Sequence, residues 1–220
     1  MKLQWVKIEE LVVQKLRLCG ESNQYSNFTL VQSLLGRKKS EYVIVQNPIH
    51  RFLNGFVSRC IWEARLASDV CFGCMQDMSC FLNKLYSLLW TVRKSVVKVH
   101  NNELEHFAPQ TWYCNFNDRL RSYTVLRYGD EKGTINQFSH NFLSIFEKAG
   151  VPESIQDVLK RRIFAHYLPT EKAIHSSKIR KDHGESAKQI LFGNTSLLEL
   201  FTQIYYFDFV VFNFKLPVII

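Results

Sequence analysis

Two side chains in this 220-residue sequence are of types that could carry chemistry on a hydroxyl-bearing substrate. His106 lies shortly before Pro109, and an imidazole that titrates near neutral pH can deprotonate a hydroxyl group. Trp112 follows and offers the kind of apolar face on which sugar rings pack. A structural histidine and a core tryptophan explain the same two residues as well, so the sequence leaves both interpretations open.

The six cysteines suggest a second kind of chemistry. Cys71, Cys74 and Cys80 could supply three zinc ligands, with His106 or Cys114 as the fourth, but a structural zinc site normally has a second cysteine pair that is missing here. A Cys-x-x-Cys redox pair is expected at a strand-to-helix turn near the start of its fold. We therefore expect disulfides first, zinc second and redox catalysis last, and we predict no metal cofactor.

The formal net charge of +8 favours an anionic partner: a nucleotide, an acidic glycan, nucleic acid or a membrane surface. A basic surface that only aids solubility is an equally good interpretation. Basic residues cluster at 37–39, 160–162 and 178–181, and His175 lies in the same polar stretch as the last cluster. No cluster alternates with aromatic residues and no nucleic-acid motif occurs, so we expect no nucleic-acid partner.

A strand that runs directly into a helix has to position any site near residue 46. The β-branched run 41–45 predicts a strand of the buried parallel type, and Asn47 followed by Pro48 predicts a helix N-terminus. Apolar residues then recur at helical spacing from Ile49 to Ile61. Because amide groups and the helix dipole point outward at such a junction, residues 45–56 form a candidate phosphate or sulfate site.

The rest of the chain alternates between helical and strand patterns, which indicates an α/β fold. The predicted elements are a helix at 6–18, a long helix from Phe81 to Leu89, a loop over 101–118, a strand at 123–128, a helix ending at Gly150, a helix starting at Pro152, a polar basic stretch at 169–189, and a last helix begun by a capping box at Ser196–Glu199.

Residues 43–60 resemble the second nucleotide-binding element of the Golgi carbohydrate sulfotransferases. That family has Arg-Asp-Pro-x-x-Arg-Phe-x-Ser-Gly-Phe, where this chain has Gln-Asn-Pro-Ile-His-Arg-Phe-Leu-Asn-Gly-Phe. Further stretches resemble the nematode, chondroitin-type branch of the family, and these are 71–82, 106–116, 175–177 and 205–212. The resemblance implies a P-loop-like sulfotransferase fold, with a central, mainly parallel sheet flanked by helices, in which residues 1–220 form a single domain.

The resemblance also implies a set of site residues and substrates. The sulfate donor would be 3′-phosphoadenosine-5′-phosphosulfate, and the acceptor would be an anionic, chondroitin-like glycan. The implied residues are Gln46, Arg51 and Asn54 for the donor, His106 for catalysis, and Trp112, His175 and Arg180 for the acceptor. The family's first Arg and its Ser correspond to Gln46 and Asn54. Because hydrogen bonds to charged groups are stronger than neutral ones, losing that Arg predicts roughly tenfold weaker donor binding.

The resemblance implies a Golgi location as well, with a membrane anchor and a basic 5′-phosphosulfate loop that should both precede residue 6. We expect this chain to begin after both of them and so to be an N-terminally incomplete domain. Sequons at Asn27 and Asn194 fit a secretory compartment. Two alternatives stay open: a catalytically degenerate member that binds glycan or a protein partner without turnover, and a truncated gene model of an active enzyme.

Overall fold

The computed structural model describes residues 29–30, 33, 41–67, 69–94, 102–128, 132–165 and 171–218, and their side chains except at 94, 102, 132–136 and 162–181. The regular elements of this part, in chain order, are β1 (Tyr42–Gln46), α1 (Pro48–Phe56), α2 (Met78–Lys94), α3 (Asn102–Phe107), α4 (Phe116–Arg119), β2 (Thr124–Tyr128), α5 (Lys132–Lys148), α6 (Glu153–Ala165), α7 (Glu171–Phe192) and α8 (Thr195–Val211). A π-helical segment, Val57–Trp62, continues α1. The predicted helix at 6–18 and the sequon at Asn27 lie outside the described residues.

The two strands form a parallel pair, in register from Tyr42 opposite Thr124 to Gln46 opposite Tyr128. In β1, Val43 and Val45 are buried whereas Tyr42 and Ile44 are exposed. The strand therefore buries one face rather than both within the described part of the chain. The described residues are mostly helical around a parallel two-stranded sheet, which confirms the predicted α/β class. Over those residues the sheet is smaller than the one that the resemblance implies.

Helix α1 begins where the sequence predicts. The side chain of Asn47 accepts a hydrogen bond of 2.9 Å from the Ile49 N–H, and Pro48 occupies the first helical position, where its missing N–H has no cost. The inward face of the helix carries Phe52 and Phe56, each 1% exposed. Burying a phenylalanine of this kind contributes about 1.5–3 kcal/mol, so this face attaches α1 firmly to the core.

An aromatic core joins α1 to α2, α3 and α8. The ring centroid of Phe52 lies 5.2 Å from that of Phe201 on α8, and the rings of Phe81 and Phe107 are 4.6 Å apart. Gly55 permits this packing, because a Cβ at that position would lie 3.0 Å from the ring of Phe107. The glycine of the motif is thus explained by the close approach of α1 to α3.

The structure corrects two predictions about local structure. The predicted loop at 101–118 contains α3, α4 and short 3₁₀ turns. Within the polar stretch at 169–189, residues 171–189 belong to α7. Helix α8 is capped by Asn194, whose side chain accepts a hydrogen bond of 3.0 Å from Leu197 N–H, so the predicted capping box at Ser196 starts two residues too late. The predicted end of the helix before Gly150 is confirmed: α5 ends at Lys148, and Gly150 adopts φ 72°.

Candidate functional site

The carboxyl end of β1 is covered by the segment that follows α3. The Gln46 N–H donates to Gln110 Oε1 at 2.8 Å, and Gln110 Nε2 donates to the Gln46 carbonyl at 2.8 Å. One carboxamide thus satisfies both backbone groups of the last strand residue. Gln46 is half-buried beneath it. The predicted donor position at the end of β1 and the segment carrying His106 are consequently held side by side.

Arg51 makes a second link between the same two segments. Its guanidinium Nη1 donates to the Ala108 carbonyl at 2.9 Å. Asn54, one helical turn later, is exposed. Arg51 and Asn54 therefore provide one cationic and one carboxamide group on α1, a combination suited to an anion.

The N-terminus of α1 offers fewer amide groups to an anion than the sequence pattern suggests. Pro48 has no N–H, and the Ile49 N–H is already bonded to the Asn47 side chain. The Arg51 N–H bonds the Asn47 carbonyl at 2.9 Å within the helix. Anion binding at this junction consequently depends on side chains, above all on the charge of Arg51, more than on free backbone groups.

His106 occupies the last turn of α3 and is exposed at the surface. Partial desolvation, followed by the nearby positive charge of Arg59, lowers the pKa of His106 below its usual value, against the opposing carboxylates of Glu103 and Glu63. A lowered pKa keeps the imidazole neutral at physiological pH. Neutral imidazole is the form that can accept a proton from a hydroxyl group.

An ion-pair cluster that includes Glu103 of α3 lies near His106. Arg59 pairs with Glu63 and, at 3.1 Å, with the buried Glu103, one turn before His106. Glu103 Oε1 also accepts the Cys71 N–H at 3.0 Å. The carboxylate therefore joins α3 to the π-helical segment and to the 3₁₀ turn Val70–Gly73, which contains Cys71.

The predicted acceptor residues are not all brought together. Trp112 is 2% exposed and belongs to the hydrophobic core, so its ring offers no surface to a sugar in this conformation. Its neighbour Tyr113 is half-buried and donates to the Leu104 carbonyl at 2.9 Å, and burial raises the pKa of Tyr113 to about 12. His175 and Arg180 belong to α7, but their side chains are not among those that the structure describes.

Two disulfides, Cys60–Cys71 and Cys74–Cys80, account for four of the five cysteines described near the site, and Cys114 is free. The prediction of disulfides is confirmed. The zinc alternative is wrong for Cys71, Cys74 and Cys80, because all three lie in disulfides and offer no thiolate to a metal ion. The redox alternative is also wrong, since Cys71 and Cys74 bond to different partners.

The structure adds Asp208, which the sequence reasoning missed. This aspartate on α8 is fully buried and accepts hydrogen bonds from Gln110 N–H at 2.7 Å, Thr111 N–H at 2.8 Å and the Thr111 hydroxyl at 2.9 Å. Burial raises the pKa of Asp208, opposed first by the bond from Thr111 N–H and by the positive charge of Arg51. The signal available in the sequence was an acidic residue inside the largely apolar and aromatic run 204–212, where burial requires hydrogen-bonding partners.

A family comparison agrees with this architecture: the model of the sulfotransferase family matches residues 7–215. The chain therefore belongs to the sulfotransferase family.

Among curated proteins, the chain is similar to the carbohydrate sulfotransferase chst-1 of Caenorhabditis elegans, with 28% identity over 93% of this chain and 62% of that protein. It is also 26% identical to the uncharacterised protein C18B2.2 of the same organism, over 92% of this chain and 56% of the relative. This chain thus spans about three fifths of the length of these relatives. No solved structure matches it. In the part of the chain that the structure describes, no helix combines the length and apolar character needed to cross a bilayer.

Proposed function

We propose that this chain transfers a sulfuryl group from 3′-phosphoadenosine-5′-phosphosulfate to a hydroxyl group of a chondroitin-like glycan. The observation that carries the proposal is the junction of β1 and α1, which holds Gln46, Arg51 and Asn54. By the resemblance described above, these residues correspond to the donor-binding motif of the family. Membership of the sulfotransferase family and similarity to a carbohydrate sulfotransferase support the reaction class and the glycan acceptor. The net charge of +8 suits two anionic substrates.

In this proposal each residue has a separate task. Arg51 supplies the positive charge that attracts the 3′-phosphate of the donor, and Gln46 and Asn54 supply neutral hydrogen bonds to it. His106 accepts the proton of the acceptor hydroxyl through a ring nitrogen, which makes the acceptor oxygen a better nucleophile. The donor, when bound, supplies the sulfuryl group and leaves as 3′,5′-bisphosphoadenosine.

For the acceptor we propose a region of the chain rather than individual contacts. The basic stretch containing His175 and Arg180 supplies charge for an anionic glycan, and Trp112 supports the loop next to His106 from inside the core. Disulfides form in oxidising compartments, so the two disulfides support a secretory, Golgi-type location.

Calorimetric titration of this chain with 3′,5′-bisphosphoadenosine, followed by a sulfate-transfer assay on desulfated chondroitin, tests the proposal. We expect saturable binding of the nucleotide, and we expect Arg51→Gln to weaken it about tenfold or more, because a charge-assisted hydrogen bond is lost. Ser58→Ala, an exposed position on the following π-helical segment, serves as the matched control and should bind like the wild type. No binding heat at millimolar nucleotide would refute donor binding. Binding without turnover would instead favour the degenerate, binding-only member.

A further inference from the structure

The segment between His106 and Trp112 is held at four of its residues by other elements. Tyr205 on α8 donates its hydroxyl to the Phe107 carbonyl at 2.7 Å, and Arg51 donates to the carbonyl of Ala108 at 2.9 Å. Gln110 and Thr111 both donate to Asp208. We call residues 107–111 the clamp segment. It connects α8, α1 and the end of β1.

Asp208 holds the backbone of Gln110 in position. Its two oxygens accept the backbone N–H groups of Gln110 and Thr111 at 2.7 and 2.8 Å, which orients the two peptide units on either side of Gln110. Gln110 then directs its carboxamide to both backbone groups of Gln46, each at 2.8 Å. A continuous path of hydrogen bonds therefore runs from the buried carboxylate to the last residue of β1.

A carboxylate suits this role better than any neutral side chain of similar size. Three donors converge on Asp208, and a carboxylate accepts at both oxygens whereas an asparagine accepts at one and donates at the other. Asp208 is also 0% exposed, and a buried charge is tolerated in a fold only when it is well bonded. A leucine at this position would fill the core but would leave these three donors without their acceptor.

We propose that Asp208 is a positioning residue that sets the distance between the donor site on β1 and α1 and the proposed base His106. The proposal rests on the function proposed above for these residues. Asp208 acts through the clamp segment: it holds Gln110 against Gln46, and the same segment begins directly after His106. Reacting groups must be aligned closely for transfer, and a displacement of about 1 Å can cost about 10²-fold in rate.

The test compares Asp208→Asn with Leu197→Ala, a cavity-forming control on the same helix. Leu197 is 4% exposed and lies eleven residues before Asp208, about 16 Å along the helix axis. We expect Asp208→Asn to lower kcat about 10²-fold with little change in the KM for the acceptor, because alignment is lost while acceptor contacts remain. We expect Leu197→Ala to lower thermal stability but to keep kcat at temperatures where the protein is folded. Equal loss of kcat in both variants would overturn the proposal, since it would reflect stability alone.

A second measurement keeps the inference testable if the wild type shows no turnover. Amide hydrogen exchange reports local opening, so we expect faster exchange at Gln46, Gln110 and Thr111 in Asp208→Asn but not in Leu197→Ala. Unchanged exchange at Gln46 in Asp208→Asn would show that Asp208 does not control the end of β1. Failure to bind 3′,5′-bisphosphoadenosine in the wild type would refute the proposed function without affecting this structural result.

Discussion

Removing the Cys60–Cys71 disulfide should destabilise this protein more than removing Cys74–Cys80. The first bridge spans a sequence separation of 11 and the second a separation of 6. The chain-entropy model, applied to the loops that these separations close, gives about 2.8 and about 2.4 kcal/mol at 25 °C. Entropy alone thus predicts nearly equal effects, and the difference has to come from the native structure.

That difference arises from where the first bridge lies. Cys60 and Cys71 are 1% and 0% exposed, and the Cys71 N–H is bonded to the buried Glu103 carboxylate beside Arg59. Replacing both sulfurs by alanine leaves a cavity and loosens this hydrogen bond, adding about 1–2 kcal/mol. We therefore expect Cys60→Ala with Cys71→Ala to cost about 4–5 kcal/mol.

Urea unfolding of the two double variants, analysed by linear extrapolation, measures both costs under identical conditions. The Cys74→Ala, Cys80→Ala variant is the matched control, because its bridge is less deeply buried: Cys74 is 7% exposed and Cys80 is half-buried at the start of α2. We expect the control to lose about 2–2.5 kcal/mol, the entropic amount. Equal losses in the two double variants would refute the claim that the buried position of the first bridge contributes stability.

Two further predictions concern α3. The log of kcat/KM should fall at acid pH with an apparent pKa below the usual 6.5, because desolvation and the charge of Arg59 lower the pKa of His106. His106→Ala should abolish this acid limb and lower kcat about 10²–10⁴-fold, whereas His140→Ala, at an exposed histidine, should leave the profile unchanged. An apparent pKa above 6.5 would contradict the assignment of His106 as the base. Gly55→Ala should reduce the free energy of unfolding by about 0–2 kcal/mol in urea titrations, since a Cβ 3.0 Å from the Phe107 ring costs about 1–3 kcal/mol and the helix gains about 1 kcal/mol. A stabilised variant would show that the aromatic core accommodates the methyl group without strain.

Much of the local architecture could be predicted from the sequence because it depends on short-range chemistry. The β-branched run and the Asn47–Pro48 pair predicted β1 and the start of α1 within a residue, since capping and proline geometry act over only a few neighbours. Helical spacing likewise predicted α2 and the helix ending before Gly150. The cysteine count favoured disulfides but left their pairing open, because pairing depends on which thiols the fold brings together.

The tertiary structure decided how the site is held. Sequence identifies Gln46, Arg51 and His106 as candidates, but nothing local shows that Gln110 bonds the backbone of Gln46 across 64 residues or that Asp208 bonds Thr111 across 97. Likewise, whether Trp112 faces solvent or the core depends on the helices packed around it. Sequence patterns record what each segment prefers by itself, whereas the partners of a buried polar group are determined by the packing of distant segments, which satisfies its hydrogen bonds.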